Sequence, residues 1–342
     1  MNINGVELRA DYGDPFGEAR ACRDDCALFD FSFIATARVS GIRAGEAVEN
    51  FASRSLTMLD NGRIAYALRV NGEGHALSDL TIWKNGPDSF DVMSGRSQDI
   101  ETLLGMQDED LQVSDITLDS VVMALQGPAS FDVLDSLGVA AEIRALKYFS
   151  FADSYIAGIP CRIGRLGYTG EAGFELIVAQ EYARKLWRLL AEAARPAGFI
   201  AADALRIEAG FVLFTNEFRL RVSPAEAGLA KFYSNGNGAP SAMKLVSFTA
   251  EAGAFQTLPW QPSNSLSRPS KPGEIVVTSA CRSVCTRGIV GLGYVLAETP
   301  QGAMLHDASG IFRNVAQADT PVYDRQKLRP RAVWQANSSG QT

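Results

Sequence analysis

Two carboxylates in this chain occupy settings where an acid could do chemistry. Asp79 lies in Ala76-Leu-Ser-Asp79-Leu-Thr-Ile-Trp83. Strand geometry alternates side chains between faces, which puts the acid beside Leu77, Thr81 and Trp83 and puts Ala76, Leu80 and Ile82 on the other side. An acid in apolar and aromatic company is either an edge-strand charge or a proton donor and acceptor. Glu175 follows a run of four glycines three residues apart, Gly164, Gly167, Gly170 and Gly173. Glycines so placed allow tight turns and close approach of a ligand or another strand. Glu175 on the strand leading away is either offered to a ligand or a surface charge beside a β-bulge. A third candidate is the basic tail, where Arg325, Lys327, Arg329 and Arg331 alternate with uncharged residues. It is either a solvated terminus or an anchor for an acidic ligand, since guanidinium pairs well with carboxylate and phosphate.

Other chemistries are excluded by what is missing. The five cysteines include no Cys-x-x-Cys, and the two histidines, His75 and His306, lie far apart in sequence. That is too little for a zinc site, and it leaves little room for a Ser-His-Asp or Cys-His hydrolase. There is no Gly-x-Ser-x-Gly elbow and no phosphate-binding loop of the Gly-x4-Gly-Lys type.

The elements that must position these residues are legible in the pattern. Residues 64–70, 76–83 and 89–94 read as a β-meander, with Asn71-Gly72 opening the first turn. Residues 182–194 read as a helix with a stripe of Ala183, Leu186, Trp187, Leu190 and Ala193, stopped by Pro196. A second helix is expected from Ala201 to about Phe211. Between 235 and 272 the chain is rich in Gly, Ser, Asn and Pro, as at a domain junction, and strands at 274–278 and 288–295 follow as a small β-domain. At 342 residues and about 150 per domain, two or three domains are expected. A hydrophobic fraction of 46% and 21% charged residues describe an ordinary globular chain. No apolar run is long enough for a membrane helix, and the first residues show no signal-peptide pattern, so a cytoplasmic protein is expected. A net charge of −7 argues against a general nucleic-acid binder.

Several stretches together resemble one family. Gly167-Tyr-Thr-Gly-Glu-Ala-Gly-Phe-Glu-Leu176 is similar to the GYTGEDGFE motif of the aminomethyltransferase family. Leu28-Phe-Asp-Phe-Ser32 resembles its early FDxS segment, Gly74 to Trp83 its GGxxDDLxV strand, and Ala124-Leu-Gln-Gly-Pro128 its AxQGP turn. Arg206-Ile-Glu-Ala-Gly210 and Ser223-Pro-Ala-Glu226 resemble its RLEAG and NPxE segments. The order is the family's, and the likeness covers about residues 15 to 233.

The resemblance implies an α+β fold: a three-domain cloverleaf of the aminomethyltransferase type around a central folate cavity, with a C-terminal β-barrel-like domain. The implied division is 1–36 with 118–153 and 208–245, then 37–117 with 154–207, then 246–342. It implies tetrahydrofolate as cofactor, with Asp79 beside the reactive nitrogens and Glu175 holding the pterin through two parallel hydrogen bonds. Tyr66, Tyr168 and Ser94 fall on cavity-lining positions. The basic tail, with Arg329, falls where relatives bind the folate's glutamate carboxylates. Three departures stand out: Ser78 replaces the first aspartate of DDL, Ala202 a pterin-holding arginine and Phe211 a tyrosine. The VGKEAL-like segment of glycine-cleavage members is also absent. The sequence therefore reads as a tetrahydrofolate-dependent methyltransferase that demethylates a small N-, O- or S-methyl substrate. The alternatives are the aminomethyltransferase of glycine cleavage, partnered by a lipoylated carrier protein, and a repurposed, folate-independent member of the fold.

Overall fold

The computed structural model describes residues 2–3, 5–234, 241–251, 266–307 and 309–334. Of the junction expected at 235–272, residues 235–240 and 252–265 lie outside the described residues. The described residues build a two-stranded ribbon, two larger open sheets and a closed barrel.

The meander lies where the pattern puts it, as Ile64–Val70, Ala76–Gly86 and Ser89–Ser94. Ala35–Ser40 and Gln112–Asp115 complete a five-stranded antiparallel sheet. Its inner face, including Leu80, Ile82 and Val92, packs with Val48, Phe51, Ile100 and Leu103 of the helices Ala44–Ala52 and Ser97–Leu104. Ala76 departs from its expected company. A register irregularity between Arg69 and Val70, opposite Ala76 and Ser78, shifts the alternation, and Ala76 packs with Val70 and Val222 instead of Leu80.

The second sheet runs Phe151–Ile156, Ile159–Gly164, Gly173–Ala179, Ser120–Gln126, Ala27–Asp30, Arg195–Ala197. This corrects the expected grouping of 154–207 with 37–117. Glu175 and Phe29 both lie opposite Ala124, so the glycine-motif strand belongs with 27–30 and 120–126. The helix read at 182–194 spans Gln180–Ala191, and the one expected from Ala201 spans Phe199–Glu208.

The C-terminal β-domain is a five-stranded closed barrel of Met243–Glu251, Ile289–Leu296, Glu274–Arg282, Met304–Asp307 and Arg313–Ala318. The boundary expected at 246 falls inside its first strand. Val246, Phe248, Ile275, Val277, Val295 and Val315 fill it. Among the described residues, no helix is long and apolar enough to cross a membrane, and no cluster of three metal-ligating side chains occurs.

Candidate active site

Asp79 sits opposite Leu68, two residues from Tyr66 on the neighbouring strand, so both side chains share the face turned away from the two helices. The Tyr66 hydroxyl donates to Asp79 Oδ2 at 3.2 Å. Burial pushes the Asp79 carboxyl up to about 6, with Glu217 adding to the rise and the Tyr66 hydrogen bond and Arg206 opposing it. Burial, then the Asp79 charge, raises the Tyr66 phenol well above its ordinary value, so it stays a hydrogen-bond donor. The Tyr66 ring meets Phe232 edge-on, centroids 4.7 Å apart at 69°. A carboxylate ionised at pH 7.5 but easily protonated, steered by a phenol, is suited to receiving and returning a proton.

Glu175 is 7% exposed. Burial alone pushes its carboxyl up to about 7, and no hydrogen-bond donor among the described residues reaches it. Burying a carboxylate without partners is costly. Ala202 lies 1% exposed in the same apolar cluster as Ala124, the strand neighbour of Glu175, and Phe29, one strand further on, and brings no charge to compensate. Nearby Tyr148 is pushed up to about 12 by burial, with Arg331 and Arg165 opposing and Glu175 adding to the rise. Glu175 thus keeps both oxygens for a ligand carrying two adjacent donors. The amidine edge of a pterin is such a group, so the residues present fit tetrahydrofolate.

The glycine motif is held from beneath rather than opened to a ligand. Gln126 donates through Nε2 to the carbonyls of Leu166 and Phe174 at 3.2 and 3.3 Å, and its Oε1 accepts from Thr169 at 2.9 Å. A Cβ at Gly173 would stand 2.6 Å from that amide nitrogen, and one at Gly167 would overlap the same side chain. Tyr168 emerges from this turn, donates its hydroxyl to the Val212 carbonyl and stacks on Phe211, centroids 6.1 Å apart at 21°. Electrostatic coupling to Tyr66 and Asp79 places it near that pair.

Two expected site residues are placed elsewhere. Ser94 lies opposite Leu80, and directly opposed residues share a face, so it points toward the helices and away from Asp79. Its hydroxyl donates to Asp99 Oδ2 at 2.7 Å, a carboxylate also bonded by Ser78 and by Arg96 at 2.7 Å. That cluster fixes the start of the helix Ser97–Leu104. Arg329 is committed within the protein: its Nη1 pairs with Glu171 Oε2 at 3.2 Å, and its backbone N–H donates to Asp324 at 2.8 Å. This ties the basic tail to the glycine motif, where a ligand carboxylate was expected.

The sequence reading passed over the networks that hold the site together. Fully buried Arg206 bonds Asp203, Glu217 and the Ser279 hydroxyl, each at 2.7 Å, and the Phe211 carbonyl at 3.0 Å. It joins the helix Phe199–Glu208 to the barrel and pins the segment that receives Tyr168. Glu208, two residues on, accepts from Arg23 at 2.9 Å, Ser283 at 2.6 Å and the Val284 N–H at 2.7 Å. The available signal was an arginine and two acids, Asp203 and Glu208, inside an otherwise apolar helix. Removing one member of a buried pair strands the other. Glu208→Gln is expected to cost about 3 kcal/mol, read as a lower urea midpoint at unchanged slope. An unchanged midpoint would show that the pair contributes nothing to stability.

A surface groove of about 560 Å³, lined in part by Leu118, Val121, Ala183, Arg184 and Trp187, contains none of these residues.

Comparisons with known proteins give the family and the fold. The family model described as the GCVT N-terminal domain matches residues 14–235. The chain belongs to that family. An aminomethyltransferase of Clostridium botulinum (strain Loch Maree / Type A3) is 29% identical over 242 residues, covering 68% of this chain and 65% of that protein. One from Thermoanaerobacter sp. (strain X514) is 30% identical over 249 residues, covering 69% and 67%. The match thus spans about two thirds of the relatives' length. The crystal structure of the glycine cleavage system aminomethyltransferase T from Bartonella henselae superposes with a TM-score of 0.77. It is 23% identical and covers 95% of this chain and 94% of its own, a likeness of fold.

Proposed function

We propose that the chain is a tetrahydrofolate-dependent one-carbon transferase of the aminomethyltransferase kind, with Asp79 as its proton-handling group. The observation that carries this is the presence of two carboxylates, Asp79 half-buried and Glu175 buried, both pushed up by burial but with different surroundings. Asp79 is steered by Tyr66, and Glu175 has no partner of its own. Tetrahydrofolate, when bound, supplies the nitrogen that accepts the carbon.

The chain's own residues do the rest. Glu175 accepts two hydrogen bonds from the pterin edge and fixes its orientation. Tyr168 and Phe211 supply a flat aromatic surface beside it. Tyr66 holds Asp79 in one rotamer, with an oxygen turned to the reaction. Asp79 accepts the proton displaced from the folate nitrogen as the new C–N bond forms and returns it to the leaving group, so the transfer consumes no proton. Its negative charge also offsets positive charge developing on that nitrogen.

The relatives named aminomethyltransferase favour an aminomethyl donor, which in glycine cleavage would be borne by a lipoylated carrier protein. Ala202, standing where the sequence comparison expects an arginine, favours the second reading, a small N-, O- or S-methyl donor handled in an altered pocket. Product analysis tests both. Tetrahydrofolate is incubated with the protein and either an aminomethylated lipoyl carrier or small methylated compounds. Methylene-tetrahydrofolate from the carrier is the expected result, 5-methyl-tetrahydrofolate from a small donor would select the second reading, and no folate product from either would refute both.

A further inference from the structure

Asp79 depends on its own backbone as well as on Tyr66. Against the rise that burial imposes, its carboxyl is supported by its own N–H and by the Tyr66 hydroxyl, so the strand beneath it sets its aim. That strand is irregular beside it. Ser78 lies opposite Arg69 and Ala76 opposite Val70, so Leu77 has no partner across the pair. An extra residue of this kind bends a strand and disrupts its ladder. A slip of one residue there would turn Asp79 to the helices and Ser78 to the Tyr66 side, since alternate side chains take opposite faces.

What resists the slip lies on the helix face. Ser78 and Asp99 are both fully buried, and the Ser78 hydroxyl donates to Asp99 Oδ2. The same oxygen accepts from Ser94, on the next strand, at 2.7 Å, and Oδ1 pairs with Arg96 at 2.7 Å. The Ser94 hydroxyl in turn accepts from the Arg96 N–H at 3.0 Å. One carboxylate thus ties two neighbouring strands to the first turn of the helix Ser97–Leu104, and it grips one of them at the residue before Asp79. An aspartate at position 78 would meet Asp99 as a like charge, whereas a serine donates to it.

We propose that Asp99 is a positioning residue: through Ser78 it locks the strand so that Asp79 points at Tyr66. Its effect on turnover rests on the reading of Asp79 as the proton-handling group, but its geometry can be tested without that reading. The full-length protein is labelled with carbon-13 at its aspartate carboxyls, and the Asp79 resonance is assigned by its loss in Asp79→Asn. Ser78→Ala changes no charge. It is expected to move the Asp79 titration midpoint upward by at least about 0.5, the direction given by losing the Tyr66 hydrogen bond. Tyr66→Phe should move it the same way, and the double variant no further than the larger single one. Asp99→Asn keeps an oxygen for Ser78 and should leave the midpoint near its wild-type value, whereas Asp99→Ala should raise it. A purely electrostatic role predicts the opposite sign, because removing a nearby negative charge lowers a carboxyl. Glu217 and Arg206, the charged groups that act on Asp79, are the same in all these variants.

Thermal midpoints show that each variant is folded, and Ser78→Ala with Asp99→Asn carries the test if Asp99→Ala does not fold. An unchanged Asp79 midpoint in folded Ser78→Ala overturns the proposal, as do shifts that add in the double variant. Turnover separates this from the reading it rests on. With Asp79 handling the proton, Ser78→Ala should also lower turnover at least about tenfold at unchanged tetrahydrofolate affinity, and should add nothing in the Asp79→Asn background. If Asp79→Asn leaves turnover unchanged while Ser78→Ala still moves the midpoint, the positioning stands and the proton role assigned to Asp79 falls.

Discussion

Replacing Asp79 by Asn is expected to lower turnover by about two orders of magnitude or more while leaving tetrahydrofolate affinity nearly unchanged. The substitution keeps the shape and can still accept from Tyr66, but it removes the group that takes the proton. The pH profile gives a second readout. The Asp79 carboxyl is pushed up to about 6 by burial, so the wild-type rate should fall as pH drops through that value and the carboxylate is neutralised. The residual rate of the Asn variant should not show that limb. Unchanged turnover in the variant, or a limb that survives in it, would remove Asp79 from the proton transfer. Tyr66 is the natural companion test because it touches Asp79 directly: its Phe variant should lower the rate without abolishing the limb.

The second large effect concerns Glu175. Glu175→Gln is expected to weaken tetrahydrofolate binding by about 1 to 3 kcal/mol, because one oxygen that accepted from the pterin becomes a donor facing a donor. The pH dependence follows from the same burial. In the free protein the carboxyl is pushed up to about 7, and nothing among the described residues supports the ionised form. A ligand offering two donors favours the ionised form, so affinity should rise as pH increases from 6 to 8, and binding near pH 7 should release protons. The sign for stability is opposite. The folded-state value lies above the unfolded one, so burial of Glu175 favours the folded protein most at low pH, and that contribution is lost as pH rises through about 7. Calorimetry in buffers of different ionisation enthalpy measures the proton release directly. The Gln variant should show neither release nor slope, and equal affinity of the two proteins would end the role assigned to Glu175.

Much of this was legible in the residues, for identifiable reasons. The meander was readable because residues 64–94 alternate with period two between turn residues, and the strand carrying Asp79 keeps that period except at the register irregularity near Ala76. The glycine motif was readable as a place of close approach. What approaches it, the Gln126 side chain, could not be read, since Gln126 lies on a strand whose partner is set by the tertiary fold. Ser94 was misplaced because a role carried over by position ignores the face: opposite Leu80, it has no route to the Asp79 side. Arg329 was misplaced because a basic tail looks free until Glu171 is seen across from it, in a segment more than a hundred residues away. The grouping of 154–207 with 37–117 failed for a similar reason, since sheet membership depends on which edges pair and not on strand order along the chain. Arg206 and Glu208 looked like motif letters, and the fold shows them to be the joints between the helix Phe199–Glu208, the barrel and Arg23.

The central claim is that the partnerless Glu175 and the Tyr66–Asp79 pair form a tetrahydrofolate site although Ala202 carries no charge. Anaerobic calorimetric titration of the purified protein with tetrahydrofolate tests it most directly. The account predicts saturable binding at about micromolar strength that grows tighter from pH 6 to pH 8 and weakens in Glu175→Gln. No heat and no thermal shift at millimolar tetrahydrofolate would contradict it and would leave these residues to a different ligand.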